Sequence, residues 1–397
     1  MGSRSPLQQQ RRVFIRLIGG SIILASAGLL AGRHFIVEDD ELQRAKEEKL
    51  GANSDPRLAL IEKASLAPSS HNLQPWLIDL RGPADIILLR VDPERLLPVA
   101  DPHARETLIS LGCFLELLSM AAQAGGFRCE IIEFPEGNAP QITPVAPVIA
   151  QIRITPATTT EPLLPEPLLA MLEQRRTNRL PYDTQRTIPD DILASLLDAG
   201  SVHGIQADGT VNPALLQKLN PLAENAWQTE MSNSETVLES LKLTRVGKKE
   251  IEYHRDGIAV SGFLPEMAAT FGLFPRDRVP EPDSTFMRSM ITTGKEQGQT
   301  AAGWIWLYSQ GNSHAQQIAA GRAYVRLQLA AAQSHIAMQP MSFLLSEAPA
   351  MQPHQKDLYD NTELNSDQHR LQMLVRIGYA DPVAASPRRR LSDFILE

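Results

Sequence analysis

Cysteine is nearly missing from this chain: its 397 residues include only Cys113 and Cys129. There is no C-x-x-C pair and no Cys/His ligand spacing, so the sequence gives no sign of zinc or an iron–sulfur cluster. The two thiols read as buried free cysteines or, in an oxidising compartment, as one disulfide. Positive charge is not gathered into a stripe, and the formal net charge is −8. Bulk electrostatics therefore gives no ground for a nucleic-acid partner. Neither G-x-G-x-x-G after a strand nor G-x-x-x-x-G-K-[ST] occurs, which argues against a Rossmann or P-loop nucleotide site. The G-x-S-x-G elbow is absent too. Ser70 and His71 are adjacent in sequence, whereas hydrolytic dyads are assembled in space. Finally, the apolar run Leu17–Gly32 is soft and stops short of the ~20 residues that cross a bilayer.

What is present is an ordinary globular composition, 43% hydrophobic and 21% charged, with enough chain for two domains or one large embellished one. The N-terminus stands apart. "QQQRRVFIRLIGGSIILASAGLLAG" places Arg11-Arg12 before a moderate apolar run and small residues, the layout of an export signal. Arg-Arg-Val-Phe-Ile-Arg looks like a twin-arginine motif, with Arg16 where lysine is usual; a plain anchor helix is the other reading. Residues 1–35 are thus expected to be a twin-arginine signal, with the translocase as partner during export. Residues 36–54 are expected to be a charged linker. The protein is then periplasmic, or held at the inner membrane if the signal is not cleaved. The twin-arginine route carries folded cargo, a hint towards a redox cofactor loaded beforehand.

The rest of the chain reads as one layout stated twice. "LAPSSHNLQ" (66–74) aligns without gaps over "DAGSVHGIQ" (198–206), and "GCFLELLSMAAQAGG" from Gly112 aligns over "GRAYVRLQLAAAQSH" from Gly321. Each long helical pattern follows a strand-like run, "ADIILLRVD" or "GWIWLYSQ". In the same order, these parallels suggest an internal duplication. The copies differ where chemistry is at stake. Gly204 stands where the first copy has Asn72, and "QRRTNRLPYD" precedes the second copy but not the first. Between the second motif and Gly303 lies a long stretch with a patchy helical pattern, read as a lid or as a helical embellishment.

Two constellations carry chemistry. Arg175, Thr177 and Arg179 alternate, so an extended chain turns all three to one side. Two planar guanidiniums and a hydroxyl suit a phosphate; a solvated surface turn is the plainer alternative. Near the end, "SPRRRLSDF" follows the strand-like "LQMLVRIGYA" and offers further phosphate ligands in Arg388 and Arg390, or only a solvated tail. In "LAPSSHNLQPWLIDL", Ser69, Ser70, Asn72 and Gln74 either close a loop or form a platform for a flat heteroaromatic ring with mixed donors and acceptors.

"APSSHNLQPW" resembles the P-S-x-x-N-x-Q-P-W signature of the flavin-dependent nitroreductase family. "RRTNRLPY" resembles that family's R-x-[ST]-x-[RK] opening, and "VRIGYADP…PRRRL" its C-terminal strand and basic tail. The doubled layout is similar to the Acg-type branch, in which one chain mimics the usual homodimer. The resemblance implies an α+β, nitroreductase-like FMN-binding fold. Its two degenerate halves, residues 55–160 and 161–397, form an intramolecular pseudo-dimer, with the insertion or lid at about 220–299. It also implies one composite FMN site, because the mirror position lacks Asn72's equivalent and an arginine motif upstream. Arg175, Thr177, Arg388 and Arg390 would hold the phosphate and ribityl end, and Arg179 would lie by the pyrimidine edge. Pro68, Ser69, Ser70 and Asn72 would line the ring. The implied activity is two-electron, ping-pong reduction of nitroaromatic, quinone or similar acceptors with a small-molecule donor, requiring no catalytic side chain and no metal. The alternative is a flavin-sequestering protein with little turnover. A monomer or weak homodimer suffices, since the pseudo-dimer lies within one chain.

Overall fold

Isoleucine, leucine and valine fill Ile86–Val91, and tryptophan, isoleucine and leucine fill Gly303–Ser309. Such side chains suit a pleated surface buried on both faces, and both runs are strands. In the computed structural model, residues 55–137, 146–158, 166–272 and 274–396 are described. The expected signal and linker lie outside them.

The first part of the chain contributes α1 (Pro56–Ala64), β1 (Trp76–Asp79), β2 (Ile86–Val91), α2 (Arg105–Ala124), β3 (Phe127–Glu133) and β4 (Val148–Pro156). Asp55 caps α1, accepting from the Arg57 backbone N–H at 2.9 Å. The four strands form an antiparallel sheet in the order β1-β2-β4-β3. The second part repeats the succession with α3 (Asp190–Gly200), β5 (Gln206–Thr210), the insertion, β8 (Gly303–Ser309), α9 (His314–Gln333), β9 (Ala337–Pro340), α10 (Gln352–Thr362) and β10 (Arg370–Gly378). Its strands form a second antiparallel sheet, ordered β5-β8-β10-β9. Both sheets therefore place their first, second, fourth and third strands side by side. The chain then returns to the first sheet, where β11 (Ile395–Leu396) pairs parallel to the edge of β1.

Between the sheets, α2 and α9 form the centre of the main core. A Cβ added to Gly112 would lie 2.1 Å from the Ile318 carbonyl oxygen, and one on Gly321 1.9 Å from that of Ile109. Only glycine lets these backbones approach so closely. The contact is reciprocal in the register in which Gly112 aligns with Gly321. Among the described residues α2 is the one helix long and apolar enough to cross a membrane, but it is mostly buried in this core. Cys113 is buried there, donating to the Gly321 carbonyl at 3.1 Å. It and Cys129 are both free, so the disulfide reading does not hold.

The insertion contains α4 (Pro213–Glu230), α5 (Ser234–Lys242), β6 (Thr244–Val246), α6 (Lys248–His254), β7 (Ile258–Val260), α7 (Phe263–Thr270) and α8 (Thr285–Gln299). It is largely helical although its sequence pattern is patchy. Pro221 lies inside α4. Gly294 of α8 sits where a Cβ would come within 2.0 Å of Trp227 Nε1, so this helix pair needs a glycine rather than an apolar side chain at its contact. Met231, Val237, Leu241 and Met287 give the insertion a small core of its own.

Candidate functional site

The loop after α1 is bent into an unusual backbone. His71, Asn72 and Gln74 have φ of 49°, 55° and 54°, a region uncommon for side chains other than glycine and asparagine. Such conformations persist only where the surroundings hold them, and here the loop's own polar side chains do so. Ser69 Oγ accepts from the Gln74 backbone N–H at 2.9 Å, and Ser70 Oγ donates to Glu106 Oε2 at 2.6 Å. Gln74 is wholly buried. It donates to the Arg255 carbonyl at 2.9 Å and accepts from the Arg389 backbone N–H at 2.8 Å. The aligned second motif bends likewise, with φ of 55° at His203 and 78° at Gly204.

The C-terminal tail meets this loop because β11 is stitched to β1. Arg388 donates to Asn72 Oδ1 at 2.9 Å and to the carbonyls of Leu66 and Ala67 at 3.2 and 3.3 Å. Asn72 returns a bond from Nδ2 to the Pro387 carbonyl at 3.1 Å. From the other side Arg175 also reaches the Leu66 carbonyl, at 3.1 Å. Its second bond goes to Gln328 Oε1 at 2.9 Å, and Gln328 Nε2 donates to Thr177 Oγ1 at 3.3 Å. Pro68, Ser69, Ser70, Asn72, Arg175, Thr177 and Arg388 are therefore neighbours around one carbonyl and the loop that follows it.

Two expected residues are not tied into this cluster by hydrogen bonds among the described residues. Arg390 is exposed and engages Asp393 through its backbone N–H at 2.8 Å. Arg179 is also exposed, its carbonyl accepting from Gln297 Nε2 at 2.9 Å. Surrounding protein nevertheless desolvates the Arg179 guanidinium enough to lower its pKa, against the opposing influence of Tyr324. Its charge also acts on His71. Arg179 thus has open surface while its charge is felt at His71.

The electrostatics are one-sided. Among the described residues neither Arg175 nor Arg388 makes an ion pair with a carboxylate; both are held by carbonyl and amide oxygens. Burial, and then the charges of Arg175 and Arg176, lower the pKa of Arg388 to about 9. Burial likewise lowers that of Arg175. Nε of each is buried without a partner. Buried cations pushed together with no counter-ion favour an anion beside them. An open groove of about 710 Å³ between Gln310–Asn312 and residues 366–370 shares no residue with this cluster.

Several residues here gave no sequence signal. Arg389, the middle of three identical side chains, is buried and donates to the Gln74 carbonyl at 2.9 Å, so it anchors the tail instead of facing a ligand. Gln328 lies in an alanine-rich helix with nothing to single it out. The insertion closes on the loop through Gly257 N–H to the Asn72 carbonyl at 3.2 Å and Arg255 Nε to the Arg388 carbonyl at 2.8 Å.

The model of the Nitroreductase family matches residues 172–379, from just before Arg175 to the end of β10. The protein named "Putative NAD(P)H nitroreductase acg" of Mycobacterium tuberculosis is 32% identical over 127 residues, 31% of this chain and 34% of the relative. An uncharacterized protein of the same organism is 32% identical over 123 residues, 30% of this chain and 34% of its own length. The chain therefore spans about a third of the length of these curated relatives. Among solved structures, the FMN and NADPH-dependent nitroreductase NfnB from sphigopyxis sp. strain HMH is 14% identical, covering 58% of this chain and 98% of that one, at a TM-score of 0.37. The FMN-dependent nitroreductase NfnB from Mycobacterium smegmatis is 16% identical, covering 56% and 94%, at 0.35. Because the family model runs over just more than half of the chain and takes in the arginine segment, both central strands of the second sheet and α9, this protein belongs to the nitroreductase family.

Proposed function

We propose that the protein is an FMN-dependent oxidoreductase whose single flavin site lies where the tail, the arginine segment and the Pro68–Asn72 loop meet. The observation that carries this reading is the pair of buried Arg175 and half-buried Arg388, converging on the Leu66 carbonyl with no carboxylate among the described residues to balance them. An FMN phosphate supplies the missing negative charge and acceptor oxygens. Arg388 and Arg175 would hold it with Thr177, and Asn72 and the loop backbone would face the ring. Bound FMN would supply a two-electron store, filled by a small-molecule donor and emptied by a nitroaromatic, quinone or similar acceptor in ping-pong order. The chain's own contribution is to bind and orient, and the insertion's bonds to the Asn72 and Arg388 carbonyls limit access of water to the cluster.

The test is an absorbance spectrum of the purified protein with identification of any released flavin, repeated for Arg388→Ala and Arg175→Lys. A lost charged hydrogen bond is worth about 1.5–3 kcal/mol, so FMN affinity is expected to fall roughly 10- to 100-fold. Wild-type flavin occupancy in both variants, or a wild-type protein that takes up no FMN, overturns the reading.

The closure of the insertion over the loop favours a second reading, flavin sequestration with little turnover. The two separate on reduction. Reduction by NADPH supports the enzyme, whereas reduction by dithionite but not by NADPH supports sequestration or another donor.

A further inference from the structure

A chain of side-chain hydrogen bonds runs beside the arginine cluster and takes no part in holding a phosphate. Ser70 Oγ donates to Glu106 Oε2, in the first turn of α2, at 2.6 Å. The same hydroxyl meets His71 Nδ1 at 3.2 Å, and His71 Nε2 meets Ser240 Oγ of α5 at 3.0 Å. Four groups from a core helix, the strained loop and the insertion are thus joined end to end. His71 is the residue before Asn72, so the middle of the chain lies in the loop proposed as the ring platform, and its far end, Ser240, belongs to the insertion.

Charged groups stand around this chain. Burial first lowers the pKa of His71; Glu106 on α2 opposes this and Arg179 reinforces it. Around Glu106 stand Arg105, 3.8 Å away, and the carboxylates of Asp101 and Glu230. Burial first, then the charge of Glu106, raises Asp101 to about 6 and Glu230 to about 7.

Resting on the oxidoreductase reading above, we propose that Glu106, Ser70, His71 and Ser240 form a proton relay. The relay supplies one of the two protons taken up when a quinone or nitroaromatic acceptor receives its electron pair. In the loaded state Glu106 carries a proton, Ser70 donates to Nδ1, and Nε2 donates to Ser240. Ser240 gives its proton to the acceptor and takes the one on Nε2. The Ser70 proton moves to Nδ1, and the Glu106 proton moves to Ser70 Oγ. One proton leaves, Glu106 is left as a carboxylate accepting from Ser70, and the relay itself moves no electrons. The acceptor's electron pair comes from the donor by way of the proposed cofactor.

Two measurements test the relay, and the first needs no flavin. In the flavin-free full-length chain with ¹⁵N-labelled imidazoles, Glu106→Gln is expected to lower the His71 titration midpoint, because the carboxylate that favours the imidazolium is gone. A midpoint that stays in place overturns the relay even if FMN binds. A chain that binds no FMN overturns the oxidoreductase reading and leaves the titration to judge the wiring. In FMN-loaded protein reduced by dithionite, reoxidation by benzoquinone is followed from pH 6 to 9. His71→Asn, chosen because asparagine tolerates the left-handed backbone, is expected to slow it about 100-fold per bound flavin and to flatten its pH dependence. Ser240→Ala, outside the strained loop, is expected to act in the same direction. Rates and pH profiles within twofold of wild type in both variants overturn the proposal.

Discussion

Arg388 and Arg389 are neighbours in sequence with opposite fates. Arg389 donates inward to the Gln74 carbonyl and lies 3.7 Å from Asp92, whereas Arg388 turns to Asn72 and stands without a carboxylate. The same contrast separates the two motif histidines. His203, aligned with His71, meets Glu116 Oε2 at 3.1 Å, and Glu116 also accepts from Arg322 at 2.8 Å and Arg326 at 2.7 Å. Burial pushes the Glu116 pKa upward, but the hydrogen bond from His203 and the two arginine charges outweigh it and hold the carboxyl at about 2. A folded-state pKa below the unfolded one contributes stability above about pH 4.5, lost as pH falls towards 2. Glu116→Gln is therefore expected to cost about 3 kcal/mol at pH 7 by urea unfolding. The gap to wild type should narrow as pH drops below about 4.5, and a gap independent of pH would contradict this account.

At the scale of elements, the closest approach is that of α2 and α9. A methyl group at Gly112 or Gly321 would strike carbonyl oxygen of the facing helix, not a side chain that can swing away. Gly112→Ala and Gly321→Ala are each expected to destabilise by about 1–3 kcal/mol, read as a lower urea midpoint. Gly82→Ala, where nothing lies within 4 Å of the added carbon, serves as the control. The strand-to-helix successions into α2 and α9 were both legible, because apolar runs and helical spacing are local signals. Of the insertion the helical alternative was legible but not the individual helices, since they carry Pro221 and a contact glycine where periodicity calls for apolar residues.

For the whole molecule, the two sheets share one strand order and their central helices meet reciprocally. These features support the proposed duplication into two halves with one working site. At the first loop Arg175 and Arg388 have no carboxylate partner among the described residues. At the second, Arg322 and Arg326 are neutralised by Glu116 and Glu166. A phosphate has charge to gain at one place and not at the other, so one FMN per chain is expected from flavin release and protein quantitation. Two per chain would contradict this charge argument.

The residue types of the site could be read directly from the sequence: the hydroxyl and amide loop, the alternating Arg-x-Thr-x-Arg, and the basic tail after a strand. The absence of metal spacing and of glycine-rich phosphate loops was equally plain. Which arginine meets which partner was settled only by the fold. Asn72 and Arg388 are 316 residues apart, and Arg175 and Gln328 are 153. Periodicity informs on residues a few positions apart, whereas these contacts depend on β11 pairing with β1 and on the crossing of α2 and α9. Partners then separate Arg388 from Arg389: Asp92 lies 3.7 Å from Arg389, whereas Arg388 has no carboxylate partner among the described residues, and that imbalance is a property of the assembled core that no single stretch of chain contains.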